Sequence, residues 1–164
     1  MPVDPEEFRS ALAQFPAGVT IVTSADARLN PLGVTVSAFS SLSLDPPLIL
    51  VCLRRESRTT AAIRRRRAFA VHICTSEQAS LARRFGADLV EKFDGFGYSF
   101  NASGVPCLDD VGLRLECTLH SDLEGGDHII LVGHVQAAPQ SKEFEPLVHA
   151  RRSFFSLGPE PLEV

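Results

Sequence analysis

The chain has 164 residues, 45% of them hydrophobic and 22% charged, which is one domain's length with enough apolar content for a real core. Its formal charge of −4 argues against nucleic acid as a partner, yet seven arginines between positions 54 and 67 stand against one acid, Glu56, so that segment is +6 and the remainder −10. The longest aliphatic run, residues 48–53 (LILVCL), falls far short of the roughly 20 residues a membrane helix needs, and the acidic opening MPVDPEEFRS lacks the basic and apolar regions of a leader, so a soluble, cytoplasmic protein with no membrane partner is expected.

The opening residues predict a helix. Asp4 is placed to cap it, Pro5 suits its first position and Glu7 completes a capping box, with Phe8, Ala11, Leu12 and Phe15 on one face. Pro16 and Gly18 end it, and the texture turns to β: residues 19–23 (VTIVT), a turn through 26–31, residues 32–37 (LGVTVS), and 48–53 behind Pro46 and Pro47. Helices are predicted over 58–66 and 76–85, the second with a Thr75/Gln78 capping box, and residues 69–74 (FAVHIC) between them read as a buried strand. Two longer strands, 112–120 and 128–137, form a hairpin through Gly125, Gly126 and Asp127; in the first, Leu113, Leu115, Cys117 and Leu119 alternate with polar residues. Six or so strands with a few short helices predict a mainly β fold, a closed or partly open barrel, because closure removes exposed edges. The chain reads as a single domain, residues 1–164, with its core over about 7–157 and a poorly ordered tail over 158–164.

Cys52, Cys74, Cys107 and Cys117 match neither a zinc knuckle nor a CxxC pair, so free thiols are expected. The five histidines form no ligand pattern, and no metal is called for. GxGxxG, GxxxxGK[ST] and GxSxG are all absent, so phosphate binding needs another device. Residues 52–60 (CLRRESRTT) run from a strand end into a helix. With Ser57 as N-cap, the N–H groups of the first turn and the helix dipole favour an anion there, and Arg54, Arg55 or Arg58 adds charge-assisted bonds. The competing reading is a solvated basic helix with an ordinary serine cap. Arg64, Arg65, Arg66 and Arg67 complement a helix C-terminus and lack the interleaved aromatics that stack bases. Residues 33–48 (GVTVSAFSSLSLDPPL) carry more hydroxyls than a core strand tolerates without partners, which suits either a strand edge facing a planar heterocycle or a bulge and turn.

Those same residues resemble the G-x-T-x-S-x-F-x-S-x-S-x-x-P-P-L signature of the flavin reductase family, the short-chain NAD(P)H:flavin oxidoreductases of two-component monooxygenases. Further blocks resemble the family in order and spacing: 15–23 (FPAGVTIVT), 50–53 (LVCL) with Ser57 and Thr60, 69–73 (FAVHI), 81–85 (LARRF), 126–130 (GDHII) and 146–148 (PLV), together spanning about 7–157. The resemblance implies a homodimeric, FMN-binding split β-barrel of Greek-key topology with a few short peripheral helices. It implies FMN or FAD as the flavin, NADH or NADPH as hydride donor, and a separate monooxygenase as partner. Thr35, Val36, Ser37, Ala38 and Ser41 are similar to positions lining the isoalloxazine, and Cys52, Leu53 and Arg54 to the adjoining strand end. Ser57, Thr60, Arg84 and Phe85 resemble phosphate and ribityl contacts; His128, Arg152 and Phe154 resemble the residues that hold and cover the nicotinamide. No residue is assigned as a catalytic acid or base. His128 reads equally as a turn histidine bonded to Asp127. The chain departs from the family at His72, where Asn is frequent, at His149, where an aromatic is frequent, and at Ser153, where a basic residue is usual. The alternatives on the same barrel are a non-catalytic flavin carrier and a flavin-dependent oxidase.

Overall fold

The computed structural model describes residues 3–139 and 143–158; most of the tail expected over 158–164 therefore lies outside the described residues. Helix α1, Pro5–Leu12, begins as its sequence dictates, with Asp4 Oδ1 accepting from the Glu6 and Glu7 N–H groups at 2.9 and 3.3 Å. Its apolar face finds no cover: Phe8, Leu12 and Phe15 are 52, 56 and 72% exposed. After a short strand β1 (Ala17–Gly18), β2 (Thr20–Ala25), β3 (Pro31–Val36), β4 (Phe39–Ser43) and β5 (Leu48–Arg54) follow. Helix α2 spans Arg58–Arg66, β6 Ala68–Ile73, and α3 Ala79–Gly86 behind a 3₁₀ turn at Ser76–Gln78. In that turn Thr75 N–H donates to Gln78 Oε1 at 2.9 Å, one half of the predicted box. Two short strands, β7 (Tyr98–Phe100) and β8 (Pro106–Leu108), precede the long hairpin of β9 (Leu113–Gly125) and β10 (His128–Ala137). Strands β11 (Leu147–Ala150) and β12 (Ser153–Ser156) close the chain.

Seven strands form one curled antiparallel sheet in the order β3-β2-β6-β9-β10-β5-β4. The sheet is a split barrel: β3 and β4 are its two edges, and β3 is hydrogen-bonded to β2 alone. The predicted hairpin is longer than its hydrophobic pattern, because β9 runs on through polar Ser121 to Gly125 to pair with the start of β10. Inside the curl, Val22, Val51, Leu53, Phe69, Ile129 and Leu131 pack together. On the outside, α3 and the small β1-β11-β12 sheet cover a second cluster built on Ile21, Leu81, Phe85, Phe93 and Leu147. All four cysteines are free thiols, and burial pushes those of Cys74 and Cys117 up to about 12. No described helix is long and apolar enough to cross a membrane.

His72, in the middle of β6, is fully buried. Its Nδ1 lies 3.0 Å from the Ile21 carbonyl and its Nε2 accepts the Leu108 N–H at 3.1 Å, so a neutral ring with its proton on Nδ1 pins β8 across β2 and β6. Desolvation lowers its pKa from 6.5 to about 4. The unfolded chain therefore binds a proton more readily than the folded one between those values, and the neutral ring's contribution is complete above pH 6.5 and lost as pH falls toward 4. Roughly 3 kcal/mol is at stake. Urea unfolding at pH 7 and pH 4.5 should show this loss in the wild type and a clearly shallower one in His72→Asn; an equal loss in both would remove His72 as its source.

Candidate functional site

A cleft of about 520 Å³ opens on the side of β3 that carries no neighbouring strand. One wall is Val34, Thr35 and Val36; the facing wall is the end of β5, Cys52, Leu53 and Arg54; Ser57 closes one end and His128 stands at the rim. The walls are held from behind. Thr35 Oγ1 donates to the Ala82 carbonyl of α3 at 2.7 Å, so its hydroxyl is committed and its backbone edge is what the cleft sees. Leu53 sends its side chain into the core, whereas Cys52 is half-buried, its thiol pushed up by burial.

At the Ser57 end the chain enters α2. Ser57 Oγ accepts the Thr59 N–H at 3.2 Å, and the Arg54 carbonyl accepts both Ser57 N–H (3.1 Å) and Thr60 Oγ1 (2.8 Å). A hollow of about 270 Å³ adjoins the cleft here, lined by Ser57, Arg58 and Thr59 at the start of the helix, by Lys92, and by the carboxylates of Glu56 and Asp88. The helix N-terminus, Arg58 and Lys92 favour an anion at this end, against the two carboxylates. Thr60 itself is buried, its hydroxyl already bonded, so it shapes the turn instead of meeting a ligand.

Arg84 and Phe85 also lie outside the cleft. Phe85 is a fully buried core ring, edge-on to Phe93 at 4.9 Å. Arg84 donates from Nε and Nη2 to the Lys92 and Glu91 carbonyls at 2.9 and 2.7 Å, anchoring residues 87–92. The expectation of direct contacts from these two gives way to a scaffold role, because one side chain has no exposed surface and the other is spent on backbone. Ser41 is exposed on edge strand β4, and the carbonyl of Ala38, exposed just before it, accepts the N–H of the cleft-wall residue Cys52 at 3.0 Å; neither lines the cleft.

The remaining predicted residues divide between two places. His128 Nδ1 is 2.8 Å from Asp127 Oδ1, and this bond lowers the Asp127 pKa; the turn histidine and the cleft-rim histidine are the same residue. Ser37 and Phe154 line a separate hollow of about 230 Å³ behind Thr35 and Val36, with Arg83 and His149. The guanidinium of Arg83 lies 5.3 Å from the Phe154 ring centre and His149 meets that ring edge-on at 5.7 Å. Arg152 is not there: it pairs with Glu6 at 3.0 Å. The cation over Phe154 is Arg83, since successive residues of a strand point to opposite faces only locally and the reversal at Arg151 and Arg152, both at positive φ, directs Arg152 toward α1.

Sequence reasoning did not find Glu56, Asp88 or Lys92. Lys92 Nζ donates to the Phe85 and Gly33 carbonyls at 2.8 and 3.3 Å, and burial, together with the Arg58 charge, lowers its pKa against the opposing pull of Asp88. These residues sit in an irregular stretch with no periodicity to read; the one available signal was Gly86, which ends α3 and turns the chain across the cleft.

The sequence pattern described as a flavin reductase like domain matches residues 12–158. The chain is 37% identical over 158 residues to the reductase subunit HsaB of a flavin-dependent monooxygenase from Rhodococcus jostii, covering 96% of this chain and 80% of that one. It is 35% identical to a probable flavin reductase from Rhizobium meliloti, of which it spans about half, 49%. Among solved structures, the NADH:FAD oxidoreductase SgcE6 of Streptomyces globisporus, in complex with NAD and FAD fragments, superposes with a TM-score of 0.89 at 32% identity over 98% of both chains. A homolog of nitrilotriacetate monooxygenase component B from Mycobacterium thermoresistibile gives 0.89 at 34% identity, over 97% of this chain and 91% of that one.

If Arg84 anchors the cleft wall, Arg84→Ala should cost about 1–3 kcal/mol and speed amide hydrogen exchange specifically over residues 87–92. Exchange at the wild-type rate there would show that the anchor lies elsewhere.

Proposed function

The chain belongs to the flavin reductase-like domain family, and from that membership we propose that it reduces FMN or FAD with NADH or NADPH and passes the reduced flavin to a separate monooxygenase component. The observation that carries the site assignment is the cleft beside the unpaired edge of β3, ending at the capped N-terminus of α2. Its contents fit a flavin nucleotide. The β3 edge and the half-buried Cys52 offer a flat wall with backbone polar groups for a planar heterocycle, and the Ser57 end offers a helix dipole with Arg54, Arg58 and Lys92 for a phosphate.

The bound partners supply the reactivity themselves, a hydride passing from nicotinamide C4 to flavin N5. The work left to the chain is placement. Holding two rings at reacting distance converts an encounter into an effectively unimolecular event. Val34, Thr35 and Val36 are immobilised by the Thr35 bond to α3 and provide a rigid wall. His128, its ring oriented by Asp127, keeps its second nitrogen for a nicotinamide amide at the rim. The Phe154 hollow, with Arg83 stacked on the ring, lies on the other side of the same strand and suits a cover over a second aromatic ring. A homodimer is part of the proposal. The apolar face of α1 and, at the β4 edge, Leu42 and Leu44 at 49 and 93% exposure are uncovered in the single chain, and a second copy is the cover they suit.

Mixing the pure protein with NADH and either flavin in air should accelerate the loss of reduced nicotinamide absorbance. No acceleration with FMN or FAD, using NADH and NADPH in turn, would end the reductase reading. Ser57→Ala should weaken FMN by about fivefold through loss of the cap and leave riboflavin, which has no phosphate, unchanged; equal weakening of both would take the phosphate away from α2.

A further inference from the structure

The arginines of the basic segment are not alike. Arg66 donates to the Ala25, Asp26 and Ser103 carbonyls, Arg67 to the Leu119 carbonyl, and Arg64 pairs with Asp122 at 2.9 Å. Arg54 stands on the cleft wall; of the others, the side chains of Arg58 and Arg65 make no hydrogen bond or ion pair to another described residue, and neither does that of Arg28 in the β2–β3 turn. These three line one groove of about 420 Å³ between α2 and that turn. Arg58 and Arg65 are seven residues apart, so they share a helix face about 10.5 Å apart along the axis. Between them lie only Ala61 and Ala62, and Leu32 stands opposite, giving a shallow, partly apolar floor between cationic ends. The one carboxylate in the lining, Asp26, is turned into its own loop, accepting from the Arg28 and Asn30 N–H groups and the Asn30 amide at 2.8–2.9 Å.

The groove is continuous with the site already described. It shares Leu32 and Arg58 with the hollow at the α2 N-terminus, and that hollow shares Val34, Ser57 and Lys92 with the flavin cleft. The three cavities form a row: a slot for a planar ring, a helix N-terminus for a phosphate, and a groove with arginines at both ends and small residues between. We infer that this groove takes the adenosine-diphosphate half of a flavin dinucleotide, so that FAD is preferred to FMN, with Arg58 at the diphosphate and Arg28 and Arg65 flanking the adenosine. This rests on the flavin reading of the cleft. A reduced nicotinamide dinucleotide carries the same adenosine-diphosphate group; FAD is favoured because the row starts at the flavin slot and runs through its phosphate end.

The test is a fluorescence titration of the full chain with FAD, FMN and riboflavin. Wild type should bind FAD about tenfold more tightly than FMN, and AMP, the part FAD adds to FMN, should compete with FAD but not with FMN. In Arg28→Ala/Arg65→Ala, FAD affinity should fall to that of FMN, with FMN unchanged; the single Arg65→Ala, which removes no bond of the fold, should show part of the same loss. Equal wild-type affinities for FAD and FMN would overturn the inference and leave the reductase reading standing, whereas failure of both flavins to bind would end both. If the double variant raises the NADH KM with FMN as acceptor while the FAD-to-FMN ratio holds, the groove belongs to the nicotinamide dinucleotide and the FAD assignment is wrong.

Discussion

The ring of Phe85 lies against the bare α-carbon of Gly33, where an added Cβ would come within 2.6 Å of the ring edge. That contact lets α3 press onto β3, a strand with a hydrogen-bonded neighbour on one side only. Three further contacts continue it: Thr35 Oγ1 to Ala82 O, Gly86 against the Thr35 side chain, and Lys92 Nζ reaching back to the Phe85 and Gly33 carbonyls. A barrel that closed β3 onto its far edge would spend the strand's second row of N–H and C=O groups on a ladder. Here the helix braces β3 from behind, so the edge stays rigid while its polar groups remain available. The seam that leaves the sheet open is therefore also the wall of the cleft, and the same helix end directs residues 87–92 across it.

The arginine-rich segment shows how charge counts mislead until each group has a partner. Arg64, Arg65 and Arg66 follow one another at 100° steps around the helix and Arg67 leaves it as a left-handed cap, so the four do not form the stripe that a polyanion needs. Arg66 acts as a clamp, its guanidinium joining the ends of three chain segments through backbone carbonyls. Arg64 and Arg67 meet Asp122, and Arg55 meets Glu124 and the Gly126 carbonyl. Exposed pairs of this kind contribute about 0–1 kcal/mol, so they orient the α2 terminus and the hairpin tip more than they stabilise them. Among the described residues, the side chains of Arg58 and Arg65 on the helix and Arg28 opposite make no ion pair, and all three line the groove on the side of α2 that continues from the cleft.

Elements with strong local signals were readable in advance. Helix α2 begins and ends where its cap and its C-terminal arginines place it, and the alternation read in β9 appears in the burial of Cys117 and Leu119 against exposed Thr118 and His120. Strands β1, β7 and β8, of two to three residues, carry no period; β1 pairs with β11, and β7 and β8 pair with each other. The site was legible where its residues are wall: Thr35, Val36, Cys52, Leu53, Arg54, Ser57 and His128 do converge on one cleft. It was illegible where a residue type suited to contact is used for support. Phe85, Arg84 and Thr60 have the chemistry of a ligand shell, and only their depth and their carbonyl partners reveal that they hold the shell in place.

The same distinction applies at the surface. The spacing of Phe8, Leu12 and Phe15 announces an apolar face, and the face exists, yet each of the three stays more than half exposed among the described residues. Periodicity reports that a surface requires cover and is silent on whether the cover is intramolecular. Arg152 shows how that ambiguity reaches the site: it is tied to Glu6 of the same helix, 146 residues away in sequence. That pair joins α1 to the short β11–β12 turn, the segment that leads into Phe154, so a local helix at one end of the described chain and a local turn at the other meet at a contact that no periodicity announces.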